Sequence, residues 1–86
     1  MKDAIGLVET VGLSVAIAAA DAGLKAAGVA LIGFERANGA GMMVVKFQGD
    51  IGSIQAAVDA GADAAKQLNA FVIGHVIPGP AVFIKQ

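Results

Sequence analysis

"VALIGFERANGAGMMVVKFQG", residues 29–49, decides the fold of this 86-residue chain. It contains two apolar runs, 29–35 and 42–49, which flank a glycine-rich segment. The second run alternates between two faces, as a half-buried strand does, with Met43, Val45 and Phe47 on one face and Lys46 and Gln48 on the other. The first run is apolar on both faces until Glu35, which predicts a covered strand. Because Asn-Gly lies between the two runs, we predict a β-hairpin.

Two further strands and two helices are predicted before and after this hairpin in the sequence. The apolar runs at 4–10 and 71–77 predict the first and last strands. After the first run the apolar spacing becomes helical, with one stripe formed by Leu13, Ile17, Ala20, Leu24 and Ala27 and another by Ser14, Asp21 and Lys25. Thr10 can cap this helix, and Gly28 is placed to end it as a C′ residue.

The segment that follows Asp50 predicts the second helix, with Asp50 as its cap. Its inward-facing residues are expected to be Ile51, Ile54, Val58, Ala62, Ala65 and Leu68, and its outward-facing residues Asp59, Asp63 and Lys66. The resulting order β-α-β-β-α-β is the split βαβ, or ferredoxin-like, unit. We therefore predict a single α+β domain over residues 1–86, an α/β sandwich in which a four-stranded antiparallel sheet carries two helices on one face.

The composition predicts self-association. Hydrophobic residues make up 57% of the chain and charged residues 15%, against about 25% charged residues in a typical soluble domain. A domain of this size buries only about 60–65% of its unfolded surface, so the surplus apolar surface needs a membrane or other chains to cover it. The best candidate for a membrane span, residues 11–34, is interrupted by Asp21 and Lys25, and the first residues lack the pattern of a signal peptide. We therefore expect a cytoplasmic, self-associating protein.

Several classes of function are excluded by what the sequence lacks. A net charge of −1, without a basic cluster, Trp or Tyr, argues against nucleic-acid binding. The absence of Cys excludes disulfides, iron–sulfur clusters and thiolate zinc sites. The segment GAGMMV lacks the third glycine of a dinucleotide fingerprint, and GDIGS lacks the lysine of a phosphate loop. We expect no cofactor and no metal.

No group of side chains has the pattern of a catalytic site. His75, the only histidine, lies in an apolar strand without an orienting partner, so a structural, hydrogen-bonded role is favoured over catalysis. Asp59 and Asp63 are four residues apart on one helix face, where a solvated surface is favoured over weak cation binding. Glu9 and Glu35 each end a strand, and nothing in the sequence makes them an acid–base pair. We therefore expect no enzymatic activity.

The hairpin tip (Ala37, Asn38, Gly39, Ala40 and Gly41, hereafter the tip) has no side chain that could act as acid, base, nucleophile or metal ligand. The simplest interpretation is a hairpin loop, since Asn-Gly is a strong turn signal. A glycine-rich tip also exposes backbone N–H groups. In a cyclic oligomer, symmetry would arrange these groups and the Asn38 amides around one opening. Both interpretations stay open at this point.

Three segments, in order and at matching spacing, resemble the single-domain shell proteins of bacterial microcompartments. They are "AIGLVETVGLSVAIAAADAGLKAAGVALIGFE" (4–35), "QGDIGSIQAAVDAGADAA" (48–65) and "HVIPGP" (75–80). That family includes carboxysome shells and the shells around propanediol and ethanolamine metabolism. The resemblance covers roughly residues 4–80.

The resemblance implies a structural protein with a permuted ferredoxin-like sandwich that forms a flat, six-fold homohexamer. Such hexamers would tile edge to edge, together with other shell proteins, around encapsulated enzymes. The tip would surround a central pore through which small polar metabolites pass while volatile or toxic intermediates are retained. Lys25, in DAGLKAAG, matches the lysine at hexamer–hexamer edges.

The sequence departs from the family pattern at three places. The tip is one residue longer than the usual loop of the type K-I-G-S-G. Arg36, at the pore flank, stands where Lys is frequent, which changes the charge near one pore mouth. Gly79, at the hexamer edge, replaces the Arg that commonly contacts the neighbouring hexamer, and Gly28 replaces a frequent Asn. Because Lys25 is then left as the main edge residue, we expect weaker or differently arranged sheets.

A regulatory, small-ligand-binding oligomer is the alternative prediction. Ferredoxin-like domains often form regulatory oligomers that bind amino acids or nucleotides between subunits. Such a protein should give dimers or trimers whose melting temperature depends on the ligand. A shell protein should give hexamers and then sheets or tubes, with no effect of a ligand.

Overall fold

The computed structural model describes residues 3–37 and 41–79. The elements are β1 (Asp3–Val11), α1 (Leu13–Ala26), β2 (Ala30–Arg36), β3 (Met42–Asp50), α2 (Ile51–Gln67) and β4 (Phe71–Pro78). The predicted order of strands and helices is thus confirmed, with bounds within one residue of the predicted runs for all four strands.

The four strands form one antiparallel sheet in the order β2-β3-β1-β4. Helix α1 contacts β1, β3 and β2, whereas α2 contacts β1, β4 and β3. Both helices cover the sheet face that carries the core, where Val8, Phe47 and Ile54 are completely buried. The predicted α+β sandwich, with two helices on one face of a four-stranded sheet, is confirmed.

The helices lie close to the sheet because small residues line the contact. A Cβ atom added at Gly23 of α1 would lie 2.5 Å from Cζ of Phe47 in β3. One added at Gly6 of β1 would lie 2.6 Å from Cγ2 of Val58 in α2. Real Cβ atoms are not found at such distances. Any residue larger than glycine at Gly23 or Gly6 would therefore force neighbouring atoms to shift.

This close packing decides which face of each helix is buried. Helix α1 buries its small residues, Ala16, Ala19, Ala20 and Gly23, whereas Leu13 and Ile17 are about half exposed. Of the apolar stripe marked by the sequence, Ala20 is buried and Ala27 packs against the core, whereas the larger residues Leu13, Ile17 and Leu24 are exposed. In α2 the prediction is correct for Ile54, Val58, Ala62 and Ala65, and wrong for the terminal residues Ile51 and Leu68, which are exposed.

Two local predictions about caps have different outcomes. Asp50 caps α2 as predicted, because its carboxylate accepts hydrogen bonds from the backbone N–H and the hydroxyl of Ser53 at 3.0 and 3.1 Å. Thr10 does not cap α1; the N-cap is Gly12, and the Thr10 hydroxyl donates to the Gly12 carbonyl at 3.3 Å. Gly28 follows the C-cap Ala27, as a C′ residue does, but without a positive φ.

The prediction that the second strand is covered on both faces is wrong for the single chain. Strand β2 lies at the edge of the sheet, and its Ile32 and Phe34 side chains are 41% and 40% exposed. An apolar edge strand that is open in this way is a surface that a second chain can cover.

The topology gives the molecule two opposite ends. Strands β1 and β2 run parallel to each other because both pair antiparallel with β3. The β1–α1 turn, the β2–β3 hairpin and the α2–β4 turn therefore share one end, called the tip end. The end of α1, the β3–α2 junction and the end of β4 share the opposite end, called the far end. A nine-residue strand such as β1 separates the two ends by about 30 Å.

Candidate functional site

The base of the tip is a closed hairpin. Strand β2 ends at Arg36 and β3 begins at Met42, and the Ala37 N–H donates to the Met42 carbonyl at 2.8 Å. Four residues, 38–41, therefore lie inside this bond, so the connection is longer than a two-residue turn. Ala37 is half-buried and Gly41 is exposed, whereas Asn38, Gly39 and Ala40 lie outside the described residues.

A second backbone bond joins the tip to the start of α1. The Gly12 N–H donates to the Gly41 carbonyl at 2.8 Å. Gly12 and Gly41 have φ values of 94° and 73°, which favour glycine. Sequence reasoning assigned the turn before α1 to Thr10 and did not identify Gly12. The available signal was a glycine placed between the end of an apolar run and the first residue of helical spacing.

The charged side chains nearest the tip are separated by the pleat of the sheet. Arg36 is exposed and lies opposite Met43, which packs against the core on the helix side. Glu35 lies opposite Val44 on the open face, where its carboxylate accepts from the Lys46 ammonium at 2.5 Å. The Glu35–Lys46 pair on the open face has no net charge. Arg36 supplies the positive charge on the opposite, helix side of the hairpin.

The predicted edge residues Lys25 and Gly79 both lie at the far end. Lys25 is in the last turn of α1 and pairs with Asp21 at 3.1 Å, the i,i+4 arrangement expected from the sequence. Its side chain is 77% exposed, so it projects beyond the helix despite this pair. Gly79 follows β4 with a φ of 106°, a conformation that favours glycine.

Asp50 also lies at the far end. A hydrogen bond from the backbone N–H of Ser53, and a second from its hydroxyl, hold the pKa of Asp50 below its ordinary value of 3.8. The carboxylate occupies the N-terminus of α2, where a bound anion would otherwise find free N–H groups. This end of α2 is therefore occupied by the chain's own carboxylate.

Exposed apolar side chains are distributed over both edges of the sheet. Those on the side of α1 and β2, called the β2 flank, are Leu13, Ile17, Leu24, Ile32 and Phe34. Those on the side of α2 and β4, called the β4 flank, are Ile51, Leu68, Val72, Ile73 and Ile77. All ten are 38–54% exposed. The two flanks lie on opposite sides of the molecule because β2 and β4 are the two edge strands.

The polar residues considered for chemistry are not brought together. His75 is exposed on β4 opposite Leu7, and Glu9 is separated from Glu35 by Val44 of β3. Asp59 is exposed and accepts a hydrogen bond from Gln55 at 3.3 Å. Within residues 3–37 and 41–79, no group of three His, Cys, Asp or Glu side chains could hold a metal ion. No helix of the described part is long and apolar enough to span a membrane.

Comparisons with known proteins agree with this fold. The BMC domain family matches residues 4–80. The chain belongs to this family. The bacterial microcompartment shell protein PduA of Citrobacter freundii is 48% identical over 79 residues, which cover 92% of this chain and 84% of PduA. The shell protein EutM of Escherichia coli K12 is 44% identical over 78 residues, 91% of this chain and 79% of EutM.

More distant relatives give the same assignment. The carboxysome shell protein CcmK2 of Thermosynechococcus vestitus is 42% identical over 82 residues, covering 93% of this chain and 79% of CcmK2. A crystal structure of a microcompartment protein from Desulfitobacterium hafniense superposes with a TM-score of 0.79 at 34% identity. The match covers 90% of this chain but only 41% of that longer protein.

The predicted class of protein is therefore confirmed. The chain is a structural shell protein of a bacterial microcompartment, and the relatives' names support this role over both an enzyme and the regulatory alternative. As a BMC domain protein it assembles with other shell proteins.

Proposed function

We propose that this BMC domain forms a cyclic homohexamer in which the β2 flank of each copy packs on the β4 flank of the next. The composition and the positions of the two flanks support this proposal. They are both apolar, they differ in sequence, and they lie on opposite edges of the sheet. Contact between two unlike surfaces is heterologous, and heterologous contacts close into rings when the rotation permits. The number six comes from the resemblance to the shell family.

The two ends of the molecule then have different places in the ring. With the tip end toward the six-fold axis, Ala37 to Gly41 of six copies would line a central pore, with Arg36 at its flank. The far end would form the rim, where Lys25 and Gly79 would meet neighbouring hexamers. The tip and these edge residues can take different places in the ring because about 30 Å separates them; the resemblance to the shell family suggests which end faces the axis.

The tip has no charged side chain, so the proposed pore would have to select solutes by size and by hydrogen bonding. A polar solute loses part of its hydration in a narrow opening, and each unsatisfied polar group costs about 1–3 kcal/mol. Backbone N–H groups and the Asn38 amides would offset this cost by hydrogen bonding, and the pore diameter would set the upper size. An apolar gas gains nothing from such groups. Small polar metabolites are therefore the expected solutes, and encapsulated enzymes of the cytoplasmic compartment would use them.

Replacing Asn38 with Leu tests the pore. Asn38→Leu removes the amide groups from the opening, so we expect a lower flux of glycerol into closed shells loaded with a reporter enzyme. Gln55→Leu is the matched control, because it makes the same change on an exposed face of α2. Analytical ultracentrifugation should show intact hexamers for both variants. Unchanged glycerol flux through Asn38→Leu shells would refute the pore.

A further inference from the structure

The two edge strands of the sheet run in opposite directions. Strand β2 pairs antiparallel with β3, β3 with β1, and β1 with β4, so β2 and β4 are themselves antiparallel. Copies placed side by side in one orientation could therefore join β4 of one chain to β2 of the next and continue the antiparallel sheet from copy to copy. A head-to-tail contact of this kind that does not close gives fibres in place of rings.

The sequences of the edge strands do not discourage such pairing. Edge strands of natural proteins are commonly protected by charged residues or by proline. The segments VALIGF (29–34) and FVIGHVI (71–77), which cover most of β2 and β4, contain no Asp, Glu, Lys, Arg or Pro. Short segments of high β-propensity without charge or proline are the ones that stack into extended β-sheets. A different feature of the two strands is therefore needed to keep copies from pairing.

Strand β2 contains a β-bulge. Leu31 lies opposite Phe47 and Gly33 lies opposite Lys46, although Phe47 and Lys46 are consecutive, so Ile32 is an extra residue. The bulge divides the strand into two shorter pieces. A bulged strand also bends and twists more strongly, which makes it a poor partner for a straight strand of another chain.

Strand β4 contains a bulge of the same kind. Phe71 lies opposite Thr10 and Ile73 lies opposite Glu9, so Val72 is the extra residue. This bulge lies at the start of β4, close to the tip end of the molecule. Both edges of the sheet are therefore irregular, whereas the pairing of β1 with β3 in the middle of the sheet continues without a shift.

The two bulges share one pattern of burial. Leu31 and Phe71, the residues just before the bulges, are partly buried and pack against the core. The extra residues, Ile32 and Val72, are β-branched and are 41% and 42% exposed. Each bulge thus interrupts the backbone of an edge strand and adds an exposed apolar side chain to its flank.

We infer that the bulges at Ile32 and Val72 block backbone pairing between copies of this chain, so that the β2 flank and the β4 flank of adjacent copies meet through side chains. The inference rests on the proposed function, because it concerns the contact that closes the proposed ring. The partner at each edge is a second copy, and the irregular backbone selects the closed assembly over the open one.

Deleting the extra residues tests the bulges. Without Ile32 and Val72, the pairs on both sides of each bulge can keep their partners, and the alternation of faces becomes regular along both edge strands. We expect the double deletion to lose the rings and to form fibres that bind thioflavin T. The matched control, Ile32→Ala with Val72→Ala, removes the same side chains but keeps both bulges, so it should form no fibres. Electron microscopy compares the two variants.

Infrared spectroscopy of the parent protein gives a second measurement that does not depend on the folding of a variant. Extended sheets that continue from chain to chain shift the amide I band to low frequency. Assemblies of the parent protein should lack this low-frequency band, and fibres of the double deletion should show it.

Each outcome supports or overturns the inference. Fibres from the alanine control as well as from the double deletion would overturn it, and so would rings that persist after both deletions. A low-frequency amide I band in parent assemblies would overturn it whatever the variants do, and this band decides if the double deletion shows no cooperative unfolding in urea. If the parent protein forms no rings, the proposed ring is wrong, and the comparison of the double deletion with its alanine control alone decides whether the bulges block pairing.

Discussion

The tip end and the far end are built from different kinds of interaction. At the tip end, backbone hydrogen bonds join loops that are distant in sequence: Gly12 to Gly41, and Val11 to Ala70. At the far end, the side-chain interactions are local, between Asp21 and Lys25 and between Asp50 and Ser53. A substitution at the tip end should therefore lower the stability of the fold more than one at the far end.

The largest effect is expected from a side chain at Gly12. Gly12→Ala places a Cβ on a residue with a φ of 94°, so we expect the free energy of unfolding to fall by about 1–3 kcal/mol. Gly28→Ala is the control at the far end, because Gly28 has no positive φ and, apart from its chain neighbours, no atom of residues 3–37 and 41–79 lies within 4 Å of an added Cβ. Urea unfolding at a fixed protein concentration measures both. Equal decreases in the free energy of unfolding of the two variants would contradict the proposed difference between the two ends.

A smaller effect at the far end follows from the charge of Asp50. The folded-state pKa of Asp50 is lowered from 3.8, so its ionised form stabilises the fold at pH values above that figure. This contribution is lost as the pH falls through the folded pKa. We therefore expect the parent protein to be more stable than Asp50→Asn at neutral pH, and the difference to shrink below about pH 4. Thermal unfolding of both proteins from pH 2 to pH 7 measures it; a difference independent of pH would contradict the expectation.

The smallest effect on stability is expected at Lys25. Lys25→Ala removes an exposed ion pair, so the free energy of unfolding should change by less than about 0.5 kcal/mol. The same variant should abolish any sheets or tubes that the proposed hexamers form, because Lys25 is proposed as the main edge residue. Electron microscopy compares Lys25→Ala with a control, Lys66→Ala, which replaces an exposed lysine of α2. Unaltered sheets in Lys25→Ala would remove Lys25 from the proposed edge.

The sequence alone predicted correctly those features that depend on residues close together in the chain. The alternation around Val45 and Phe47, the Asp50 cap and the Asp21–Lys25 pair could all be read from neighbouring positions and are confirmed. The buried face of α1 could not, because it depends on how closely Gly23 approaches Phe47 in a distant strand. Periodicity marks the larger side chains, and here the smaller ones face the sheet.

The same limit applies to the candidate site. The hairpin and the absence of reactive side chains at its tip followed directly from the residues. The tie between Gly12 and Gly41 did not, since it joins positions 29 residues apart and uses only backbone atoms. The edge position of β2 was missed for a related reason: an apolar strand predicts cover without telling which chain supplies it.

Distances between spin labels test the central claim that the tips meet at the axis of a ring while the far ends form its rim. The chain has no cysteine, so Ala37→Cys and Lys25→Cys each give one label per subunit. Double electron–electron resonance on isolated rings should give short distances between Ala37 labels. Those between Lys25 labels should be longer, since Lys25 would lie about 30 Å further from the axis. Distances between Ala37 labels that equal or exceed those between Lys25 labels would contradict the account.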